Sequence, residues 1–239
     1  MNQQVIEKIA NAVLYEGYML YPDRTSSTRN RHRFNFGVLY PEGFDTSSQR
    51  TECLVHDDGH ALLDVTIRYL RLDPEEHAHE RDVEIPDLRL HDLVKEWREE
   101  TFEPGAVRIS AQRVERHCYR LAIDIRNVAR IPRDAPRERA LAESMISVHT
   151  ILVVHGGSFP SLLDPPEALR EAAAECHNSG TWPVLAGDEG SHDAMLSSPV
   201  ILSDYPRLTP ESPGNPFDGT ESDERGRRVL ERTGKMPRE

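Results

Sequence analysis

The side chains best equipped for chemistry are eleven histidines and three cysteines, and their spacing decides what each could do. Cys176 and His177 are adjacent, and with His149, His155 and Cys118 they form the strongest set for a nucleophile or a soft-metal site. A cysteine nucleophile needs a base and an orienting partner brought to it by the fold, and thiolate and imidazole are the ligands that suit zinc-like ions. Cys176 stands at the predicted end of a helix, where a buried, inert thiol is the plainer reading. The catalytic candidates are therefore Cys176, His149 and His177, in a metal- or cysteine-dependent hydrolase or small-molecule enzyme.

Other runs are weaker. His56-Asp57-Asp58-Gly59-His60 sets two imidazoles four apart, a spacing that on a helix serves one metal ion. Between two strand-like runs, however, Asp-Asp-Gly predicts a hairpin turn. His77-Ala78-His79-Glu80 would place two imidazoles on one side of a strand, but it follows Asp73-Pro74-Glu75-Glu76 and reads as a charged loop. His155-Gly156-Gly157-Ser158 lacks the Gly-Lys-Ser/Thr of a phosphate loop and predicts a turn. No metal and no cofactor are expected. Asp218, Glu221, Asp223 and Glu224 crowd one segment without calcium-loop spacing, which favours solvation or contact with a basic partner. The basic residues after them, Arg225, Arg227, Arg228, Arg232, Lys235 and Arg238, predict a short mobile helix or an extension.

These groups must be positioned by a set of alternating segments. In Leu63–Leu70, Val65, Ile67 and Tyr69 alternate with Asp64, Thr66 and Arg68, the period of a half-buried strand. Residues 106–116 and 118–128 predict a hairpin turning at Glu115–His117, with Tyr119, Leu121, Ile123 and Ile125 on one face. An antiparallel sheet with one wet face follows. Residues 1–15 predict an amphipathic helix ended by Gly17, Tyr18–Pro22 an extended run, 23–33 a basic loop, and Phe34–Tyr40 a strand. Residues 134–146 predict a helix with Pro136 in its first turn. Ser147–Val154 fits either a continued helix or a strand, and its β-branched residues favour the strand. A short helix at Leu169–Cys176 and strands at Pro183–Leu185 and Pro199–Leu202 complete the core. Residues 210–219 hold Pro210, Pro213, Gly214, Pro216 and Gly219, so packed regular structure is not expected there.

The fold class predicted is α+β, mostly antiparallel β and sandwich-like, with a few short helices. Residues 1–208 would form one β-rich domain and 209–239 an irregular C-terminal arm. The 239 residues carry 29 basic and 41 acidic side chains, a formal charge of −12, which disfavours nucleic acid and anionic membrane as partners. No apolar run approaches the roughly 20 residues of a membrane span. The N-terminus lacks secretory features, and three scattered cysteines make no disulfide framework. A cytoplasmic location is expected.

Several segments are distinctive as strings. Leu14-Tyr15-Glu16-Gly17-Tyr18-Met19-Leu20-Tyr21-Pro22, Arg33–Pro41 and Gln49–Val55 mark the front, and Phe159–Pro166, Leu196–Leu202 and Phe217–Glu221 the back. Together, over residues 10–224, they resemble a bacterial family encoded beside nickel–iron hydrogenase genes. Pro22-Asp23-Arg24-Thr25 and the end after Glu221 depart from that pattern, the latter lacking an apolar helix. The resemblance implies an accessory protein in hydrogenase maturation or assembly, whose partners are hydrogenase subunits or maturation factors. It does not imply that this chain carries the nickel–iron centre, since paired Cys-x-x-Cys motifs are absent. On that reading the partner-binding residues are Tyr15, Tyr18 and Tyr21 in the aromatic entry, and Asp204, Tyr205, Asp218 and Glu221 in the proline-rich acidic arm.

Overall fold

The computed structural model describes Ala10, Leu14 and residues 37–73, 77–132 and 134–206. The predicted aromatic entry with Tyr15, Tyr18 and Tyr21, the basic loop, and the arm with Asp218 and Glu221 lie outside these residues. Of the predicted first helix, Ala10 and Leu14 are described; both are helical and fully buried.

Among the described residues, eight strands form one antiparallel sheet: β1 (Ser48–Leu72), β2 (Ala78–Arg89), β3 (Arg98–Thr101), β4 (Gly105–Glu115), β5 (Cys118–Asn127), β6 (Ile146–Ser158), β7 (Trp182–Leu185) and β8 (Ala194–Ser198). Their order is β3-β4-β5-β1-β6-β8-β7, with β2 also paired to β1. The short helices are α1 (Leu90–Lys95), α2 (Arg137–Ala142) and α3 (Arg170–Ala174), the last entered through a 3-10 turn at Glu167–Leu169. The class is α+β and mostly antiparallel β, as the alternating segments require.

Strand β1 organises the rest. Its first half pairs with β5, from Ser48↔Arg126 to His56↔Cys118, and its second half with β2, from Leu62↔Arg89 to Leu72↔Ala78. Across the other edge, β6 pairs with His56 and Asp57 and then with Leu62 to Leu70. Asp57 faces Gly157 and Leu62 faces His155, so β1 advances five residues while β6 advances two. A bulge of this size bends and twists the strand, and the sheet curls. The concave face gathers Cys53, Val55, Leu63, Val65, Ile67 and Tyr69 from β1 with Val107, Ile109, Leu121, Ile123, Val148, Leu152 and Met195. Burying such side chains stabilises the curl by about 1.5–3 kcal/mol each.

The bulge corrects the expected hairpin at His56–His60. Asp57 is buried, and its Oδ1 accepts hydrogen bonds from the backbone N–H groups of Gly59 (2.6 Å) and Ala61 (2.9 Å). Gly59 supplies the left-handed backbone at φ +107°. The local turn chemistry is as read, but the chain leaves the turn in its original direction. His155-Gly156-Gly157-Ser158 is likewise a continuation of β6 rather than a turn. Gly156 (φ +75°) sits opposite the bulge, and a Cβ on Gly157 would collide with the His56 carbonyl oxygen.

Other boundaries moved for identifiable reasons. The charged loop predicted at His77–Glu80 becomes the start of β2 at Ala78; as an edge strand it buries only Ile85, so it shows no alternation of apolar residues. Residues 37–40 contribute an isolated bridge, Leu39↔Met145, rather than a strand. Helix α2 ends at Ala142, four residues early, where the Ser144 hydroxyl donates to Ala140 O and Met145 turns to pair with Leu39. The strand expected at Pro199–Leu202 lies instead at Ala194–Ser198, because Pro199 has no N–H with which to continue the ladder. The hairpin β4–β5, the strand over Ser147–Val154 and the strand near Pro183 are present as predicted. None of the helices among the described residues is long and apolar enough to cross a membrane.

The paired bulge predicts that Gly157→Ala, which adds one carbon against backbone, lowers stability by roughly 1–3 kcal/mol. Ala61→Gly, which removes a carbon at the same contact, should cost only the roughly 0.5–1 kcal/mol of a glycine in a strand. Urea unfolding followed by circular dichroism measures both.

Candidate functional site

The cysteine-centred candidate takes shape where α3 packs on the convex face. Leu54, Cys118 and Leu169 form a small buried cluster, with Ala172, Ala173 and Cys176 against it. The Cys176 thiol donates to Ala172 O at 3.6 Å. Burial pushes this thiol up to about 11, although Arg120 beside it acts in the opposite sense. Cys118 is likewise pushed up to about 11 by burial, and the fully buried Cys53 lies well above its ordinary value for the same reason. At neutral pH all three are protonated, and the thiol is not the nucleophilic form. His177 is exposed, and its contribution here is a backbone N–H donated to Glu52 Oε2 at 2.7 Å. Asn178 then grips Glu52 through both its backbone groups, and Ser179 bridges Arg50. Cys176–Ser179 thus stitches the segment after α3 to the edge of β1.

His149 sits elsewhere, on β6, fully buried. Its Nδ1 lies 2.6 Å from Ser147 O, a carbonyl that can only accept, so Nδ1 carries the proton. Nε2 is then the acceptor for the Ser198 hydroxyl at 3.2 Å, and Ser198 Oγ in turn accepts from Val200 N–H at 3.1 Å. A hydroxyl, an imidazole and an orienting carbonyl in series have the form of an activated nucleophile. Both side chains are at 0 % exposure, however, and burial lowers the His149 ring to about 4. The pair fixes the start of β6 to the end of β8. No hydrogen bond among the described residues joins His149 to Cys176 or His177, so the predicted catalytic trio is not brought together by such bonds. Ser198, the actual partner of His149, carried no motif in the sequence and is found through the β6–β8 register.

Asp204 and Tyr205 do come together, as a latch. Asp204 Oδ2 accepts from the Ser161 hydroxyl (2.5 Å), and Oδ1 accepts from Leu185 N–H at the end of β7 (2.8 Å). Tyr205 N–H donates to Leu185 O, and the Tyr205 hydroxyl donates to Ser191 O at 3.0 Å. Tyr205 holds φ +54°, an uncommon backbone conformation for a bulky residue, while its ring packs on the main core. Ser161 Oγ additionally accepts from the N–H groups of Leu163 and Asp164. The latch therefore joins three stretches: 161–164, the end of β7, and 204–205.

Several other charged groups are committed to pairs. Arg50 bridges Glu52 and Asp124, Arg68 pairs with Asp82, and His155 meets Asp64 at 3.0 Å. An open cleft of about 550 Å³ is lined by Phe102, Glu103, Pro104, Val128 and Glu143 among others, and Arg71 holds both of its carboxylates at 3.1 Å. Among the described residues, no group of three or more His, Cys, Asp and Glu side chains is arranged to hold a metal ion.

Two measurements follow from these sites. The folded His149 ring is at about 4 against about 6.5 unfolded, so between those values the unfolded chain binds the extra proton. Stability is complete above about 6.5 and falls as pH drops, by up to about 3 kcal/mol at pH 4 from this group. His149→Gln should flatten that part of a plot of Tm against pH; an unchanged slope would assign the loss to other groups. Asp204→Ala strips partners from the Leu185 N–H and the Ser161 hydroxyl, a loss of about 2 kcal/mol, read by urea unfolding. No protein-family model matches this chain, and no curated protein matches its sequence.

Proposed function

We propose that this chain is an accessory protein that works by protein–protein contact in the maturation or assembly of a nickel–iron hydrogenase, in the cytoplasm. The family resemblance supplies the system, and one observation carries the contact. Among the described residues the large apolar side chains left exposed are Val94, Trp97, Val128, Leu163, Trp182 and Ile201. Of these, Leu163 (60 % exposed) lies within the Asp204 latch, Trp182 (43 %) opens the strand whose other end the latch holds, and Ile201 (43 %) precedes Asp204 by three residues. Exposed aromatic and aliphatic anchors on a rigid support are what interface hot spots are made of. Asp204 and Tyr205 would then serve the interface by holding its base, while the acidic arm that begins beyond them would meet the partner. Among the described residues, protonated thiols and a sealed Ser198–His149 pair give the enzyme reading little support.

The test is affinity capture of the tagged full chain from a host making a nickel–iron hydrogenase, with quantitative mass spectrometry. A hydrogenase subunit or maturation factor should be enriched with the native chain and fall at least tenfold with L163S/W182A/I201S, three exposed changes that spare the core. Equal recovery from the two baits, or enrichment of no hydrogenase component, would overturn the proposal.

A further inference from the structure

At one end of the concave core the apolar lining gives way to polar side chains. Gln49, Thr51, Thr150, Thr181 and Ser197 are all at most 3 % exposed. Gln49 and Thr51 share a face of β1 with Cys53, and Thr150 shares a face of β6 with Val148 and Leu152. Thr150 lies directly opposite Ser197 in the β6–β8 ladder. Ser197 Oγ touches Thr51 Oγ1 at 2.8 Å and Thr181 Oγ1 at 2.7 Å, and Gln49 Nε2 reaches Val148 O at 3.4 Å. Five polar side chains from β1, β6, β8 and the entry to β7 therefore gather at this end of the core.

Their protons do not balance. The three hydroxyls of Thr51, Ser197 and Thr181 carry three protons but share two hydrogen bonds, which leaves one donor over. Thr150 Oγ1 is buried with no partner and adds a second donor. Gln49 Oε1 is buried with no partner and is an acceptor. Turning the Gln49 amide over does not help, because it would set Oε1 against the carbonyl of Val148. The two surplus hydroxyl donors and the surplus acceptor suit one water molecule, which accepts twice and donates to the amide oxygen; the second Gln49 Nε2 proton is left over. Buried waters characteristically make about three such bonds, whereas each orphaned group costs about 1–3 kcal/mol.

We infer that Gln49, Thr150 and the Thr51–Ser197–Thr181 hydroxyl chain form an internal binding site for a single water molecule, which bridges β1, β6 and β8. The water completes the polar end of the core as a side chain would.

Two readouts test this. A crystal structure at about 1.5 Å should show a water oxygen within hydrogen-bond distance of both Gln49 Oε1 and Thr150 Oγ1. Thr150→Val keeps shape and removes the hydroxyl; with a bridging water it strands a bond and lowers Tm by about 2–4 °C for a chain of this size. If Thr150 were a true orphan, the same change would leave Tm unchanged or raise it. A crystal structure with Gln49 Oε1 bonded directly to Thr150 Oγ1, or a Tm that does not fall in Thr150→Val, overturns the site.

Discussion

One backbone hydrogen-bonds to three neighbouring strands, and its change of partner at Asp57–Leu62 is the constraint on which the architecture hangs. β5 pairs with Ser48–His56 and β2 with Leu62–Leu72, on either side of the bulge. With it, each takes one half, β6 runs along the opposite edge, and the sheet closes over its own apolar face. Two local features hold the bulge: the Asp57 carboxylate, which satisfies two amides that leave the ladder, and the glycine pair on β6, which lets backbone approach backbone. Neither is a motif for function. Both are conditions for the curl, and hence for every site that the curl brings together.

The groups able to do chemistry are absorbed by this architecture. A cysteine, a histidine and a serine each stand in geometry that a catalytic site would use, yet each is sealed or protonated. The His149–Ser198 pair is a specific clamp between two strands, and Cys176 closes a small cluster under α3. Low dielectric is what makes such pairs directional, and the same burial holds the thiols and the imidazole in their neutral forms. Reactivity is thereby exchanged for register. Leu163, Trp182 and Ile201 are among the large apolar side chains left at the surface.

The sheet was legible wherever one face is wet and the other dry. Val65, Ile67 and Tyr69 on β1, and Leu121, Ile123 and Ile125 on β5, alternate as written in the sequence. β2 was not legible, because an edge strand held by the ladder of its neighbour needs no apolar period. The bulge was half legible: Asp57-Asp58-Gly59 announced a turn, but local chemistry does not say whether a chain reverses afterwards, and the pairing with β6 decides that. The site fared worse. Ser198 as the partner of His149, and the latch of Ser161 to Asp204, join residues 49 and 43 positions apart, and no spacing rule reaches so far. Asp204 and Tyr205 were singled out from the sequence as contact residues, and the structure shows them bonded to Ser161, Leu185 and Ser191.

The margins of the sheet carry a last consequence. β2 and β3, each paired on one side only, are dense in acid and base: Glu80, Arg81, Asp82 and Glu84 on the one, Arg98, Glu99 and Glu100 on the other. β7, which is apolar, contains Pro183 and is covered at Leu185 by the Asp204 latch. Charge, proline and a strap are the usual guards against strands recruiting strands from other molecules. Among the described residues the sheet thus offers strands of other molecules little bare edge, which favours contacts made through side chains.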